Sequence, residues 1–315
     1  MTGIALIGCG KWGKNYLKTL DALPDARLLY VCDLSEEARQ RVTLNFPNVK
    51  VVEDYRIALS DSEVAAVIIA TPPLSHFEIA ANCMTNGKAV LIEKPIASDV
   101  AETVKLANIA KQTGQVMMTG HLMLYHPAVE AMKSFIDKGI FGDIKYVTFE
   151  RTNFNIYRQD IDVLGDLSVH DLAVLLYLFE QQPQWVSAHG ISMGTELPMG
   201  IVSIDIGFAD NALAHIHANW HYHKKTRNIS LIGTNGKAIF DDTAEQNRKL
   251  TLISDGKIRP QVIEEKEPLS SQCAHFINCV RNNAPARSGP ENALQVMRLM
   301  ETIIFSIIKQ RTIYL

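Results

Sequence analysis

The 315-residue sequence contains few cysteines, no large excess of charge of either sign and no long hydrophobic run. Its five cysteines are odd in number and lie mostly in apolar stretches, which is typical of buried thiols in a reducing compartment. The 31 basic and 34 acidic residues leave a formal charge of −3, so no nucleic-acid or anionic-lipid partner is indicated. No apolar run approaches the ~18 to 20 residues that span a bilayer, and no secretory signal pattern opens the chain. We therefore expect a cytoplasmic protein that binds neither nucleic acid nor membrane.

Length and hydrophobic content predict two domains, each with a substantial core. The hydrophobic fraction is 47% and the charged fraction 21%, which is ordinary for a globular protein. A chain of this length exceeds what one core usually serves. The pattern of apolar residues changes near residue 120, so we expect domains at residues 1–120 and 121–315.

Short, continuously apolar segments alternate with amphipathic stretches over the first 120 residues. Such segments are typical of strands buried on both faces of a parallel sheet, with helices between them. We therefore predict an α/β, doubly wound Rossmann domain. The predicted strands are residues 3–7, 28–32, 50–52, 65–70, 88–92 and 116–119.

From about residue 144 the apolar residues alternate with polar ones, most regularly over residues 201–208. This period of two indicates half-buried antiparallel strands, and we predict a C-terminal α+β domain with a large open, mainly antiparallel sheet. Its strands are expected at residues 145–153, 184–192, 201–208, 212–220, 228–232, 237–240 and 249–253. An amphipathic helix that packs on a core is predicted near the end of the chain from Ala293, Val296, Met297, Met300, Ile303, Ile304 and Ile307.

A glycine-rich motif directly follows the first predicted strand. The segment Gly8-Cys9-Gly10-Lys11-Trp12-Gly13 has the spacing G-x-G-x-x-G and leads into a predicted helix over residues 14–22. Gly8 permits a tight turn, Gly10 lets the backbone approach a pyrophosphate, and Gly13 allows the helix to pack closely on the strand. The N–H groups at the start of the helix favour the same anion. We predict a dinucleotide site that includes Lys11 and Trp12.

The second predicted strand ends at Asp33, 20 residues beyond Gly13. A carboxylate at this place accepts hydrogen bonds from the adenosine ribose and repels a 2′-phosphate, so NAD is favoured over NADP. The neighbouring Arg39 or Arg41 would soften that preference, and NADP stays open as an alternative. A glycine turn without a ligand and an S-adenosylmethionine site are the other interpretations of the motif.

Several motifs together resemble the Gfo/Idh/MocA oxidoreductase family, the group of glucose-fructose oxidoreductase, inositol dehydrogenase and related sugar dehydrogenases. The motifs are the glycine loop, Ala70-Thr71-Pro72-Pro73, Glu93-Lys94-Pro95, Gly120-His121, Gly139-x-x-Gly142-Asp143-Ile144 and Asp166-x-x-x-His170. The resemblance covers nearly the whole chain and implies a sugar oxidoreductase with a nicotinamide cofactor. It implies cofactor contacts at Thr71, Pro72, His76, Glu93 and Lys94. It also implies that Lys94 and His170 act at the reacting carbon.

The same residues follow from chemistry. Ligands of an open parallel sheet bind beyond the carboxyl ends of its strands, where Asp33, Thr71, Glu93, Lys94 and His121 are predicted. Removal of a hydride from a secondary alcohol requires one group to take the hydroxyl proton and another to hold the oxygen as charge develops. We assign the proton to His170, the oxygen to Lys94, and orientation of the substrate to Asp166, four residues before His170 on a predicted helix.

The finer pattern at Tyr125-His126-Pro127 and over residues 162–171 resembles members of the family that oxidise nucleotide-linked sugars. We therefore expect substrate contacts at His121 and Tyr125. Arg151 and Arg158 precede the catalytic helix, where a guanidinium can clamp a diphosphate or carboxylate. A salt bridge within the protein is the equally weighted alternative for both arginines.

The segment His215-Ile216-His217-Ala218-Asn219-Trp220-His221-Tyr222-His223 raises the question of a metal site. Because alternate residues of a strand share a face, Ile216, Ala218 and Trp220 are expected inside, with His215 and His217 on the polar face. We predict no metal. The half-apolar outer face of the second sheet leads us to expect a homodimer or homotetramer.

Two functions of different classes remain at this point. The first is an NAD(P)-dependent dehydrogenase acting on a secondary hydroxyl of a sugar or a nucleotide-linked sugar. The second is a non-catalytic NAD-binding regulator of the same fold. The presence of Lys94, Asp166 and His170 together favours the enzyme.

Overall fold

The computed structural model describes residues 1–154, 158–159, 161–179, 181–194 and 198–315. These residues form two compact units. The first contains residues 1–125 and 267–297, and the second contains residues 126–266 and 298–315. Each unit is therefore assembled from two separate stretches of sequence.

The first unit contains a parallel sheet. Its strands are β1 (Thr2–Ile7), β2 (Ala26–Cys32), β3 (Lys50–Val52), β4 (Ala66–Ile69), β5 (Ala89–Ile92) and β6 (Met117–Thr119). Their order is β3-β2-β1-β4-β5-β6, and every pair is parallel. All residues of β1, β4 and β5 are buried, as expected of strands covered on both faces. The predicted Rossmann fold is confirmed.

The second unit contains a larger sheet. Its strands are β7 (Ile144–Thr152), β8 (Trp185–Ser192), β9 (Met199–Gly207), β10 (Leu213–Asn219), β11 (Thr226–Gly233), β12 (Gly236–Asp241), β13 (Leu250–Ser254), β14 (Lys257–Gln261) and β15 (Ile313–Tyr314). Among the described residues their order is β14-β13-β12-β11-β7-β10-β9-β8-β15. Among the strand pairs that the structure describes in this sheet, only β7 and β10 are parallel, so the predicted mainly antiparallel sheet is confirmed. Strands β14 and β15 were not predicted.

The described chain also contains α-helices, and a side chain caps the first turn of several of them. They are α1 (Gly13–Ala22), α2 (Glu36–Asn45), α3 (Arg56–Leu59), α4 (His76–Thr85), α5 (Val100–Thr113), α6 (Pro127–Asp137), α7 (Val169–Leu178), α8 (Pro268–Asn282) and α9 (Pro290–Lys309). The Asp99 carboxylate accepts a hydrogen bond of 2.7 Å from the N–H of Glu102 and so caps α5. Gly114, with φ of +69°, ends the same helix.

The apolar stripe of α9 is narrower than predicted. Ala293, Val296, Met297 and Ile303 are buried, whereas Ile304 is 41% exposed. Ser306 is fully buried, and its hydroxyl donates to the carbonyl of Arg311 and accepts from the N–H of Ala188. The next buried residue of α9 after Ile303 is therefore the hydrogen-bonded Ser306. The prediction that Ile304 faces the core was wrong.

All five cysteines are free and buried, as predicted. No helix in the described ranges is both long and apolar enough to cross a bilayer.

Candidate active site

The glycine loop has the geometry of a pyrophosphate cradle. A Cβ on Gly8, whose φ is +89°, would lie 2.7 Å from the backbone of Ala70, and a Cβ on Gly13 would lie 2.2 Å from the carbonyl oxygen of Gly8. Both positions therefore require glycine. By contrast, a Cβ on Gly10 would meet no atom within 4 Å. The space beside Gly10 lies at the start of α1, so the residues present fit a dinucleotide.

Asp33 lies where the predicted ribose-binding carboxylate was expected. Its Oδ2 accepts a 2.6 Å hydrogen bond from the N–H of Cys9, and its Oδ1 accepts a 2.8 Å bond from the N–H of Ser35. The carboxylate thus joins the glycine loop to the start of α2. Arg39 donates to the carbonyl oxygens of Asp33 and Leu34, so its guanidinium already lies beside this edge.

Replacing Asp33 by asparagine is expected to shift the cofactor preference toward NADP. Asparagine keeps one of the two oxygens that accept backbone hydrogen bonds and removes the charge that repels a 2′-phosphate, while Arg39 stays in place. We expect the ratio of the NADP and NAD dissociation constants to fall by at least ~10-fold, or about 1.4 kcal/mol. Titration calorimetry with both cofactors measures it. Asp54→Asn is a matched control, because the Asp54 carboxylate also accepts a hydrogen bond from the backbone N–H of the residue two positions later, Arg56. An unchanged ratio in Asp33→Asn would exclude the proposed role.

The loop after β4 is held to the loop after β5 by His76. The ring is fully buried, and its Nδ1 and Nε2 lie 2.9 Å from the carbonyl oxygens of Pro95 and Thr71. Burial lowers the pKa of His76, although both carbonyls oppose that shift. Both ring nitrogens thus face protein carbonyls, and His76 supports the two loops. In the loop after β4, Thr71 is partly exposed and Pro72 is exposed.

Glu93 and Lys94 follow β5 at the same edge of the sheet. Glu93 is buried, and its Oε1 accepts a 2.6 Å hydrogen bond from the hydroxyl of Tyr16. Its Oε2 accepts a 3.1 Å bond from the N–H of Lys94. Lys94 is half-buried, and its peptide bond to Pro95 is cis. Glu93 is thus an internal support of this loop, and Lys94 extends from it.

His121 follows β6 and is 2% exposed. Burial, with a smaller contribution from the charge of Lys94, lowers the pKa of His121 to about 3. Its Nδ1 is buried and has no hydrogen-bond partner among the described residues. A buried ring nitrogen of this kind is a candidate acceptor or donor for a bound ligand.

The pKa of His121 predicts an acid-sensitive fold. Below pH of about 6.5 the unfolded chain protonates this histidine and the folded chain does not, so the free energy of unfolding falls as the pH drops toward 3. We expect His121→Asn to reduce this slope by up to about 1.4 kcal/mol per pH unit. Urea unfolding of both proteins between these pH values measures the difference, with His189→Asn at an exposed position of β8 as control. Equal slopes in all three proteins would contradict the prediction.

Tyr125, predicted to contact substrate, is 1% exposed within the first unit. The guanidinium of Arg287 lies 4.7 Å from the centre of its ring, and the ring of His275 lies 5.4 Å away. In this arrangement Tyr125 packs against α8 and the segment after it.

In the second unit, Asp166 lies in a π-helical turn, Leu164–Ser168, and not in the predicted α-helix. The α-helix α7 begins only at Val169, so the spacing of Asp166 and His170 is not that of one regular α-helix. Such turns are frequent at functional sites. Asp166 accepts hydrogen bonds from Arg158 at 2.8 Å and from the indole of Trp220 at 3.2 Å. His170 is partly buried at the first turn of α7.

The two predicted anion-binding arginines differ. Arg151 is buried, and its guanidinium makes three contacts of 2.8 to 3.1 Å with the carboxylate of Asp171. It therefore forms an internal ion pair that joins β7 to α7, which is the alternative weighed from sequence. The side chain of Arg158 is 38% exposed and paired with Asp166. Of the two, only Arg158 presents its guanidinium to solvent.

The histidine-rich strand has no metal-binding arrangement among the residues described. In these residues no three His, Cys, Asp or Glu side chains are grouped to hold an ion. Ile216, Ala218 and Trp220 are buried as predicted. His215 pairs with Asp205 at 2.7 Å.

The sequence did not reveal the supporting roles of four residues: Tyr16 in the first unit, and Asp171, Trp220 and Arg227 in the second. Arg227 donates to the carbonyl of Thr152 and to the side chain of Asn153, and so holds the segment after β7. Burial, with the neighbouring Arg151, lowers its pKa to about 10. Asp171, a lone carboxylate in an otherwise apolar helix next to His170, was the one visible signal.

The glycine loop and the polar ends of the parallel strands give the first unit the features of a dinucleotide-binding module. The chain matches the family model described as oxidoreductase family, NAD-binding Rossmann fold, over residues 2–121. It matches the GFO/IDH/MocA C-terminal domain over residues 129–239. The protein belongs to the Gfo/Idh/MocA oxidoreductase family, and NAD is its cofactor.

Individual relatives agree with this assignment. The chain is 27% identical over 296 residues to scyllo-inositol 2-dehydrogenase (NAD(+)) of Bacillus subtilis, an alignment that covers 88% of this chain and 86% of that protein. It is 32% identical over 201 residues to UDP-N-acetylglucosamine 3-dehydrogenase of Acidithiobacillus ferrooxidans. That alignment covers 62% of this chain and 59% of that protein. The solved structure of a putative oxidoreductase from Magnetospirillum magnetotacticum superposes with a TM-score of 0.86 at 32% identity, covering 96% and 99%.

Proposed function

We propose that the protein uses NAD to oxidise a secondary hydroxyl on the ring of a sugar or cyclic polyol. The observation that carries this proposal is the position of Lys94. Lys94 follows the carboxyl end of β5 and is preceded by Glu93, which is buried and hydrogen-bonded. This is the same edge of the parallel sheet that holds the glycine loop and Asp33. Ligands of such sheets bind at this edge.

The proposed chemistry divides between three side chains. Bound NAD supplies the hydride acceptor. Lys94 donates a hydrogen bond to the reacting oxygen, which opposes the charge that develops there. His170 accepts the hydroxyl proton, since an imidazole titrates near neutrality. The Asp166 carboxylate accepts a 2.8 Å hydrogen bond from Arg158. We therefore assign orientation of the substrate to this pair and not to Asp166 alone.

The named relatives act on scyllo-inositol and on UDP-N-acetylglucosamine, and both substrates present secondary ring hydroxyls. The guanidinium of Arg158, which is partly exposed beside Asp166, favours a substrate that carries a phosphate or a carboxylate. We therefore place nucleotide-linked sugars first among the candidates. Residues 1–120 would hold the cofactor, and residues 121–315 would bind the substrate and a second subunit.

A turnover assay with NAD and each of scyllo-inositol and UDP-N-acetylglucosamine tests the proposal. We expect reduced nicotinamide to form, faster with the nucleotide sugar, and Arg158→Gln to raise the KM of the nucleotide sugar more than that of the polyol. NAD that raises the melting temperature without turnover of any sugar or polyol would instead indicate a regulator.

We also propose that the protein is a cytoplasmic homodimer or homotetramer. The buried free thiols support a reducing compartment. Exposed apolar side chains on α9, namely Phe305 at 44% and Ile308 at 69%, support self-association. Sedimentation analysis measures the oligomeric state, and a monomer at micromolar concentration would contradict it.

A further inference from the structure

A chain of buried hydrogen bonds joins the cofactor-loop helix to Lys94. Tyr16 lies on α1, one turn after Gly13, and is fully buried. Its hydroxyl donates to Glu93 Oε1 at 2.6 Å, and Glu93 Oε2 accepts from the backbone N–H of Lys94 at 3.1 Å. All of these residues belong to the first unit.

The Glu93 carboxyl group is closely surrounded. A Cβ on Gly120 would lie 3.1 Å from its Oε1 and 3.3 Å from its Cα, tighter than ordinary contact, so the glycine after β6 leaves room for it. The backbone on both sides is part of the sheet, since Glu93 N–H donates to Ile69 at 2.9 Å and Gly120 N–H donates to Ile92 at 2.7 Å. The carboxyl therefore has one position, set by Tyr16 and by the N–H of Lys94.

The charge of Glu93 depends on few groups. Tyr16 faces it from α1, Cys273 from α8, and Lys94 from its own loop, with His121 beyond Lys94. Burial raises the pKa of Glu93, and the hydrogen bond from Tyr16 is the largest opposing influence, followed by the charge of Lys94. Removal of the Tyr16 hydroxyl thus favours the neutral acid.

We propose that Tyr16 is a positioning residue that orients the Glu93 carboxyl group, and that Glu93 in turn fixes the backbone and stabilises the ammonium of Lys94. The proposal rests on the proposed role of Lys94 in catalysis. Because α1 begins at the glycine loop, the same hydrogen bond couples the cofactor cradle to Lys94. Tyr16 itself touches neither cofactor nor substrate in this role.

The test compares Tyr16→Phe with Tyr30→Phe. Tyr30 is also buried in the first unit and donates to a carboxylate, that of Asp61, at 2.8 Å, so the control loses the same kind of bond elsewhere. In full-length protein labelled isotopically at lysine Cε, the Lys94 resonance is assigned by its loss in Lys94→Met. We expect its titration midpoint to move down by roughly half a pH unit or more in Tyr16→Phe and in Glu93→Gln. It should stay in place in Tyr30→Phe.

The outcomes separate this inference from the proposed function. A Lys94 midpoint that is the same in Tyr16→Phe, Glu93→Gln and wild type overturns the inference even if Lys94→Met is inactive. A Lys94→Met protein that turns over normally overturns the catalytic role of Lys94 whatever the titration shows. Turnover supplies a second reading, because a positioning role lowers kcat of Tyr16→Phe about 10-fold with little change in the Kd of NAD. A purely structural role would leave the titration unchanged.

Discussion

Lys94→Met is expected to lower kcat/KM by ~10²- to 10⁴-fold while the Kd of NAD changes by no more than about threefold. Methionine keeps the length of the side chain but removes the ammonium that holds the reacting oxygen. The loss belongs to the transition state, so it should appear in kcat more than in cofactor binding. Stopped-flow turnover and calorimetric titration with NAD measure the two quantities. Lys105→Met, an exposed position on α5, is the matched control and should keep wild-type rates.

His170→Gln is expected to cause a loss of similar size. If the two side chains serve one proton transfer, the Lys94→Met/His170→Gln double variant should lose much less than the product of the single losses. Wild-type kcat/KM in either single variant would remove that residue from the mechanism.

Asp171→Asn is expected to lower the free energy of unfolding by about 3 to 5 kcal/mol. The substitution leaves the guanidinium of Arg151 buried without the carboxylate that it contacts at 2.8 Å. Burial raises the pKa of Asp171 and the charge of Arg151 opposes that shift, so the two side chains depend on each other. Urea unfolding followed by circular dichroism measures the loss.

Two further variants isolate the ion pair. Arg151→Met/Asp171→Leu, which removes both charges, should recover most of the lost free energy, because apolar residues can replace a buried pair. Asp143→Asn removes the exposed carboxylate that pairs with Lys145, a residue of the same strand as Arg151. This substitution should lower the free energy of unfolding by less than about 1 kcal/mol. Equal losses in Asp171→Asn and Asp143→Asn would contradict the structural role of the pair.

Local patterns predicted the parallel sheet of the first unit well. Strands β1, β4 and β5 are buried along their whole length, so their sequences are apolar without alternation. The turn after β1 has a positive φ at Gly8, so it requires a glycine, which is visible in the sequence. Asp33 could be predicted because a fixed spacing relates it to the glycine loop. The alternation along β9 likewise follows from one buried face.

Contacts between distant residues could not be predicted. Tyr16 and Glu93 are 77 residues apart, and Arg151 and Asp171 are 20 apart, so nothing local distinguishes a paired side chain from a ligand-binding one. The amphipathic pattern of α8 indicates a buried face, but it does not show that α1 and the segment Leu122–Tyr125 cover that face. The π-helical turn at Asp166 is an insertion into helical hydrogen bonding that periodicity does not show.

Transfer of deuterium from a labelled ring carbon is the most direct test of the account. The protein is incubated with NAD and a sugar or polyol carrying deuterium at the carbon of the oxidised hydroxyl, and the nicotinamide is analysed by mass spectrometry. We expect the label to appear on the reduced nicotinamide, and we expect Lys94→Met to slow its appearance by ~10²- to 10⁴-fold. Label found only in water, with the nicotinamide unlabelled, would contradict hydride transfer by this protein.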